Sequence, residues 1–416
     1  MKRLLSFTVL AAALPLAAQA EALFWSTQAK PVEESQAMRE QVLSGFDGGV
    51  DYQGMDNGPW LTRIQAEMQA GSGTIAVLGG LHGDLSGLED GLMDLSSVDT
   101  NGIGESMLEL GTLGTGEQKY IPWMQATYLM AANRKALEHL PEGADLNALT
   151  YDQLVAWAAA VNEAEGQPRF GFPAGPQGLK HRFFQGFLLP AYTNSTVTEF
   201  RSEAAVTAWD TFKELWEHTT PASTGYNFMQ EPLLTEEVWI AFDHVARLGE
   251  AFNQRPDDFV AFPAPAGPEG RAFMPVLAGV AVMSTAPDKD ESMALVNYML
   301  APETQIATLR ATNFFPVKAV DLPDDMPASV QAFGPAIAAM TGAPDSLPAL
   351  LPMGLGDMGG QFNQVYTDTF EQIVLGGRPV QDTLDAQAEV LRTLMQETGA
   401  PCWAPDEPSD GPCPVN

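Results

Sequence analysis

The sequence predicts an α/β fold, and three observations carry that prediction. Short apolar runs alternate with amphipathic helical stretches along the first hundred residues. The balance of 45% apolar and 18% charged residues is that of a globular chain, and 416 residues suit two or three domains. The 38 Gly and 31 Pro are scattered and gather in no low-complexity tract, so they mark many loops.

Taken in order, Glu21–Thr27 reads as a strand ending in polar residues, and 32–46 has helical spacing. "VDYQGMD" is a second strand. "NGPWLTRIQAEMQAG" is a helix with Asn57 as cap, Pro59 in the first turn and Gly71 as stop. "TIAVLGGLHGDLSGL" gives a short strand and a Gly-rich loop, completing a β-α-β-α rhythm that favours a parallel sheet. "LTYDQLVAWAAAVNEAEG" is a helix capped by Thr150, and "SEAAVTAWDTFKELWEHT" is another. "FVAFPAPAGPEGRAFMPVLAGVAVMS" predicts two strands joined by a Pro/Gly turn, followed by a helix pair ending at Pro316 and two closing helices.

The first twenty residues read as a secretory signal peptide: Lys2 and Arg3, an apolar run over 4–17, and "AQA" before an expected cleavage after Ala20. Without Lys2 and Arg3 the chain holds 19 Lys and Arg against 53 Asp and Glu, a net charge of −34. Such acidity disfavours nucleic acid and anionic membranes as partners, because phosphate binding needs clustered cations. Cys402 and Cys413 lie in a Pro-rich tail at 401–416, and an exported setting predicts a disulfide between them. No phosphate loop, dinucleotide fingerprint, nucleophile elbow or zinc motif occurs, and no cofactor or metal is expected. Two carboxylates across a cleft would suffice for an exported glycoside hydrolase, and the acidity would suit a polyamine binder. Those are the rival readings.

The order and spacing of several stretches resemble the extracellular solute-binding proteins of family 1, the periplasmic carbohydrate-binding subunits of ABC importers. They are "KYIPWMQATYLMAANRKAL", "LTYDQLVAWAAAV", "VWIAFDHVARL", "FPAPAGPEGRAFMPVLAGVAVMS", "ALVNYMLAPETQIATLRATNFFPV" and "GQFNQVYTDTFEQIVLGGRPVQDTLDAQ". The resemblance spans the whole expected mature chain. It implies the type II periplasmic binding protein fold, two α/β lobes that interchange strands, with a sugar held in the cleft between them. It also implies a periplasmic monomer without enzymatic activity, whose closed form docks on a membrane permease. The expected lobes are 21–122 with 281–320, and 123–280 with 321–400. Crossings are expected near Ile121–Ala126 and Val276–Val282, with a third within 317–327.

Sugars present apolar CH faces to aromatic rings and hydroxyls to planar polar groups, so candidates of both types are sought at strand ends and the loops after them. The first strand offers Trp25, Thr27 and Gln28. Trp60 sits near a helix start, and "GGLHGDLSG" offers His82 and Asp84. The first crossing supplies Trp123 and Gln125, and the second Gly279. Lys180, His181 and Arg182 form the only three-residue basic run, from which Lys180 and His181 are candidates for meeting an acidic ligand. In "EEVWIAFDHVARLGEAF" a buried strand runs straight into Asp243, His244 and Arg247, which are expected at its cleft tip. Asp357 and Phe362 complete the candidates, Phe362 as a stacking platform.

Overall fold

The computed structural model describes residues 21–28 and 32–416, so the expected signal peptide lies outside the described residues. Among the described residues there are twelve strands: β1 (Ala22–Ser26), β2 (Val50–Gly54), β3 (Ile75–Leu81), β4 (Ile121–Ala126), β5 (Tyr128–Asn133), β6 (Phe170–Gly171), β7 (Ile240–His244), β8 (Phe259–Phe262), β9 (Arg271–Phe273), β10 (Val276–Val282), β11 (Phe315–Pro316) and β12 (Ser346–Pro348). They form a six-stranded sheet in the order β11-β4-β10-β3-β1-β2, a four-stranded sheet β6-β7-β5-β8 and the pair β12-β9.

The helices read from apolar spacing are present, and others not predicted join them, among them Val245–Gln254 and Ala328–Thr341. Thr150 caps Tyr151–Glu165 through a reciprocal capping box with Gln153, and Gly71 ends Asn57–Ala70 in the left-handed region at φ 63°. Asp56, not Asn57, holds the N-cap position of that second helix, which frees the Asn57 amide for the cleft. In the β8–β10 region there are three strands instead of the expected two, because β9 pairs with β12 from late in the chain.

Strand interchange follows from the pairings. β1 runs parallel to β2 and β3, as the early rhythm predicts. β10 then inserts antiparallel between β3 and β4, so residues late in the chain complete the first sheet. The breaks expected after 122 and 280 therefore fall inside β4 and β10, which lie wholly within that sheet. The chain leaves it at Thr127, one residue before β5, and returns through Met274 just before β10. Thr127 Oγ1 donates to the Met274 carbonyl at 2.9 Å, tying the two crossings together in a buried position.

Cys402 and Cys413 are bridged. Their tail is docked and not a free appendage. The buried Asp406 carboxylate accepts from the backbone N–H groups of Thr196, Val197 and Thr198 at 2.7 to 3.0 Å and from the hydroxyls of Ser195 and Thr198. Three amides and two hydroxyls on one carboxylate satisfy it fully, which is what burying the charge requires.

Candidate functional site

A cleft lies between the two larger sheets and consists of two chambers that share Leu81, Arg182 and Leu351. The inner chamber, about 240 Å³, has Thr27, Gln28 and Glu34 on the wall of the first sheet. Tyr128, Arg182, His244 and Arg247 face them from the second, and Phe314 closes the hinge side. The outer chamber, about 290 Å³, sets Asn57, Gln65 and Asp84 opposite Arg182 and Asn363, with the glycines Gly359 and Gly360 at its edge. A cavity of about 20 Å³ behind Glu34 and Phe314 reaches Trp123 and Tyr52 and has room for roughly one water.

On the first wall, the turn after β3 brings Asp84 to the cleft. Its Oδ2 accepts from Thr27 Oγ1 at 2.8 Å and from the Leu81 N–H at 3.0 Å, and its Oδ1 accepts from Asn57 Nδ2 at 2.9 Å. Desolvation raises the Asp84 pKa, against these hydrogen bonds and the attraction of Arg182 across the cleft. Glu34 differs. It is 6% exposed, lines both the inner chamber and the small cavity, and has no hydrogen bond or ion pair among the described residues. Burial pushes its carboxyl up to about 8, opposed by the charge of Arg247.

The second wall is built on β7 and the helix Val245–Gln254. β7 runs two residues beyond the apolar stretch and so includes Asp243 and His244. His244 caps the helix: its Nδ1 accepts from the Ala246 N–H at 3.2 Å, which leaves Nε2 as the protonated, donating nitrogen. Burial and the Arg247 charge hold the ring neutral, with its pKa down at about 3. Arg247, one helical turn on, donates through Nη1 to the carbonyls of Asn227 and Gln177 and lies over the Phe228 ring at 4.5 Å. Arg182 donates to Gln185 Oε1 at 3.2 Å and makes no ion pair among the described residues.

Thr27, Gln28, Asp84, His244 and Arg247 thus meet at the cleft as the sequence suggested. The other candidates are placed elsewhere. Asp243 is fully buried behind the wall, where it accepts from the backbone N–H groups of Met229 and His244 at 2.9 and 2.8 Å. Period-two alternation along β7 turns it away from the chamber that its neighbour lines. Trp60 is fully buried beneath β1, and its indole N–H donates to the Trp25 carbonyl at 3.1 Å, so it is core and not platform. Trp25 packs against the same core outside both chambers. Phe362 is likewise core, packed on Tyr366 and Trp403, while Asp357 is exposed outside the chambers.

His82 is buried between Tyr120 Oη and Met353 Sδ, and its pKa is pushed down to about 4 by burial. Trp123 reaches only the small cavity, and Gln125 pairs in β4 without lining a chamber. Gly279 is a packing position: a Cβ there would meet the Tyr120 ring at 2.3 Å. Lys180 turns inward and donates to the carbonyls of Ala174 and Gly175 at 3.2 Å. His181 lines neither chamber, and desolvation with the cations Arg182 and Lys180 takes its pKa well below the usual range.

Sequence reading missed Glu34, Tyr128, Asn57, Asn363 and Phe314, and passed over Arg182 within the basic run. Glu34 had a signal. It shares the inward face of its helical stretch with Met38 and Val42, and an acid on an apolar stripe is unusual. Among the described residues no group of three or more His, Cys, Asp or Glu is placed to hold a metal, and no helix is long and apolar enough to cross a membrane.

The family model for bacterial extracellular solute-binding proteins matches residues 33–306, more than half of the chain. The chain belongs to that family. Solved structures agree on the fold. The GacH receptor of Streptomyces glaucescens, studied unliganded and with acarbose, superposes with a TM-score of 0.69 at 18% identity, over 90% of this chain and 98% of that one. UgpB from Mycobacterium tuberculosis, in complex with glycerophosphocholine, gives 0.70 at 18% identity over 91% and 99%. A sugar transporter from Arthrobacter chlorophenolicus with bound laminaribiose gives 0.69 at 14% identity over 90% and 99%. No curated protein matches the chain. The solute-binding family is one of transport proteins, and the cleft between the two sheets is where such a protein holds its cargo.

Proposed function

We propose that this solute-binding protein captures a carbohydrate, a mono- or disaccharide or a polyol, and delivers it to the permease of an ABC importer by closing its two lobes. The observation that carries this reading is the cleft itself. Planar polar groups on opposing walls, Asp84 with Asn57 and Gln28 against Arg182 with His244, converge on chambers edged by Tyr128 and Phe314. Rings for CH faces and paired donors and acceptors for hydroxyls are what a sugar needs. The acarbose and laminaribiose complexes among the structural relatives support the same class. The lobes divide at Thr127, at Met274 and between β11 and the helix Ala328–Thr341. Export to the periplasm with cleavage after Ala20, a monomeric state and the absence of catalysis belong to the same reading.

Thermal-shift screening of the mature protein against mono- and disaccharides, polyols, acid sugars and polyamines tests it, because a ligand of the folded state raises Tm by mass action. A sugar or polyol is expected to shift Tm. A shift by polyamines alone would refute the proposal, and product appearing on incubation with an oligosaccharide would point to a hydrolase.

A further inference from the structure

Glu34 is a cleft carboxyl with no donor among the described residues. The residue is 6% exposed, lines the inner chamber and has no hydrogen-bond or ion-pair partner among the described residues. By contrast Asp84 has three donors, Asp243 two backbone amides and Asp406 three amides and two hydroxyls. A carboxyl taken out of water without donors keeps its proton, and donors supplied later favour the ionised form.

We infer that a ligand hydroxyl pair seats on the Glu34 carboxylate and that Glu34 releases its proton to solvent when it does so. The balance is simple: protonated Glu34 and free ligand become carboxylate with two accepted O–H hydrogen bonds, plus one proton taken up by buffer. This rests on the carbohydrate reading of the cleft and specifies which residue in it senses the ligand. Hydroxyls fit better than the alternatives because Arg247 shares the chamber. A hydroxyl can donate to Glu34 and accept from the guanidinium. An ammonium would be repelled by Arg247, and a carboxylate would leave Glu34 protonated.

The groups facing Glu34 leave its titration separable. Tyr52 behind it is raised above its usual range, and Tyr128 opposite is pushed up to about 12. His244 is down at about 3, the guanidinium groups of Arg182 and Arg247 line the same chamber, and Asp56 stands at its edge. Asp243, at about 6, is buried behind the wall, so pH 7 to 9 separates Glu34 from Asp243, His244, Tyr52 and Tyr128.

The test is isothermal titration of the mature wild-type protein with maltose, trehalose, D-glucose and D-mannitol, in buffers of different ionisation enthalpy. A sugar that binds is expected to release about one proton at pH 7 and about half as much at pH 8, with affinity rising up to about tenfold per pH unit below 8 and levelling above. Glu34→Gln should abolish both the release and the pH slope, with folding checked by its Tm. Binding with no proton release and flat affinity from pH 7 to 9 overturns this inference and leaves the carbohydrate reading standing. Binding of none of the four, with no sugar or polyol shifting Tm in the thermal screen, overturns both. Binding of D-glucosamine in their place overturns the assignment to hydroxyls.

Discussion

The two walls of the cleft carry opposite charge and support it differently. The first wall presents acids: Asp84, held by three hydrogen bonds, and Glu34, held by none among the described residues. The second presents Arg182 and Arg247, with Arg247 braced on two carbonyls and a phenyl ring and Arg182 on one amide. Braced groups have a fixed geometry before any ligand arrives, whereas loosely held groups have capacity left for it. Each wall therefore contains one positioned charge and one that is still available, Glu34 on one side and Arg182 on the other.

The largest effect should come from Arg182, which lines both chambers. Arg182→Ala should weaken sugar binding roughly 100-fold by calorimetry, since a hydrogen bond from a charged donor contributes about 1.5 to 3 kcal/mol. An unchanged affinity would show that the second wall works through Arg247 alone. Asp243→Ala separates support from contact. It should cost about 3 kcal/mol of stability in urea unfolding, because it strands two backbone amides and removes the carboxylate behind Arg247. Loss of binding at full stability would instead make Asp243 a contact residue.

A smaller effect is expected where the walls meet. A Cβ on Gly83 would meet the Pro352 carbonyl oxygen at 2.1 Å, so Gly83→Ala should hold the walls apart. Affinity should fall about tenfold, as the closed state becomes less populated, and small-angle scattering should show a more open molecule. The smallest change concerns Glu34 without ligand. A carboxyl raised from 4.5 to about 8 destabilises the fold progressively as pH rises through that interval. Glu34→Gln should therefore melt a few degrees above wild type at pH 8, with the gap closing towards pH 5. A gap that widens in acid would mean Glu34 has a partner after all.

Much of the architecture was legible because it depends on local pattern. Thr150 and Gly71 mark helix ends by capping chemistry, and the parallel order of β1 to β3 follows from short crossover helices. The candidate site was legible only where a polar residue directly ends a strand or opens the loop after it, as with Thr27, Gln28, His244 and Asp84. Aromatics misled in one consistent way. Trp60 and Phe362 stand beside helix starts and look like platforms, yet a large ring at such a position more often fills the core.

By itself the sequence determined the α/β class, helix ends such as Thr150 and Gly71, and the acidity of the chain, because periodicity, caps and composition act within a few residues of where they are read. It also indicated the disulfide, since only two cysteines are present. The tertiary structure alone decided that β10 completes the first sheet, that Asp243 turns inward while His244 turns to the cleft, and that Glu34 and Arg182 face a common space. Those outcomes depend on strand register and on contacts between residues more than a hundred positions apart, where one step along a strand moves a side chain from the cleft to the core.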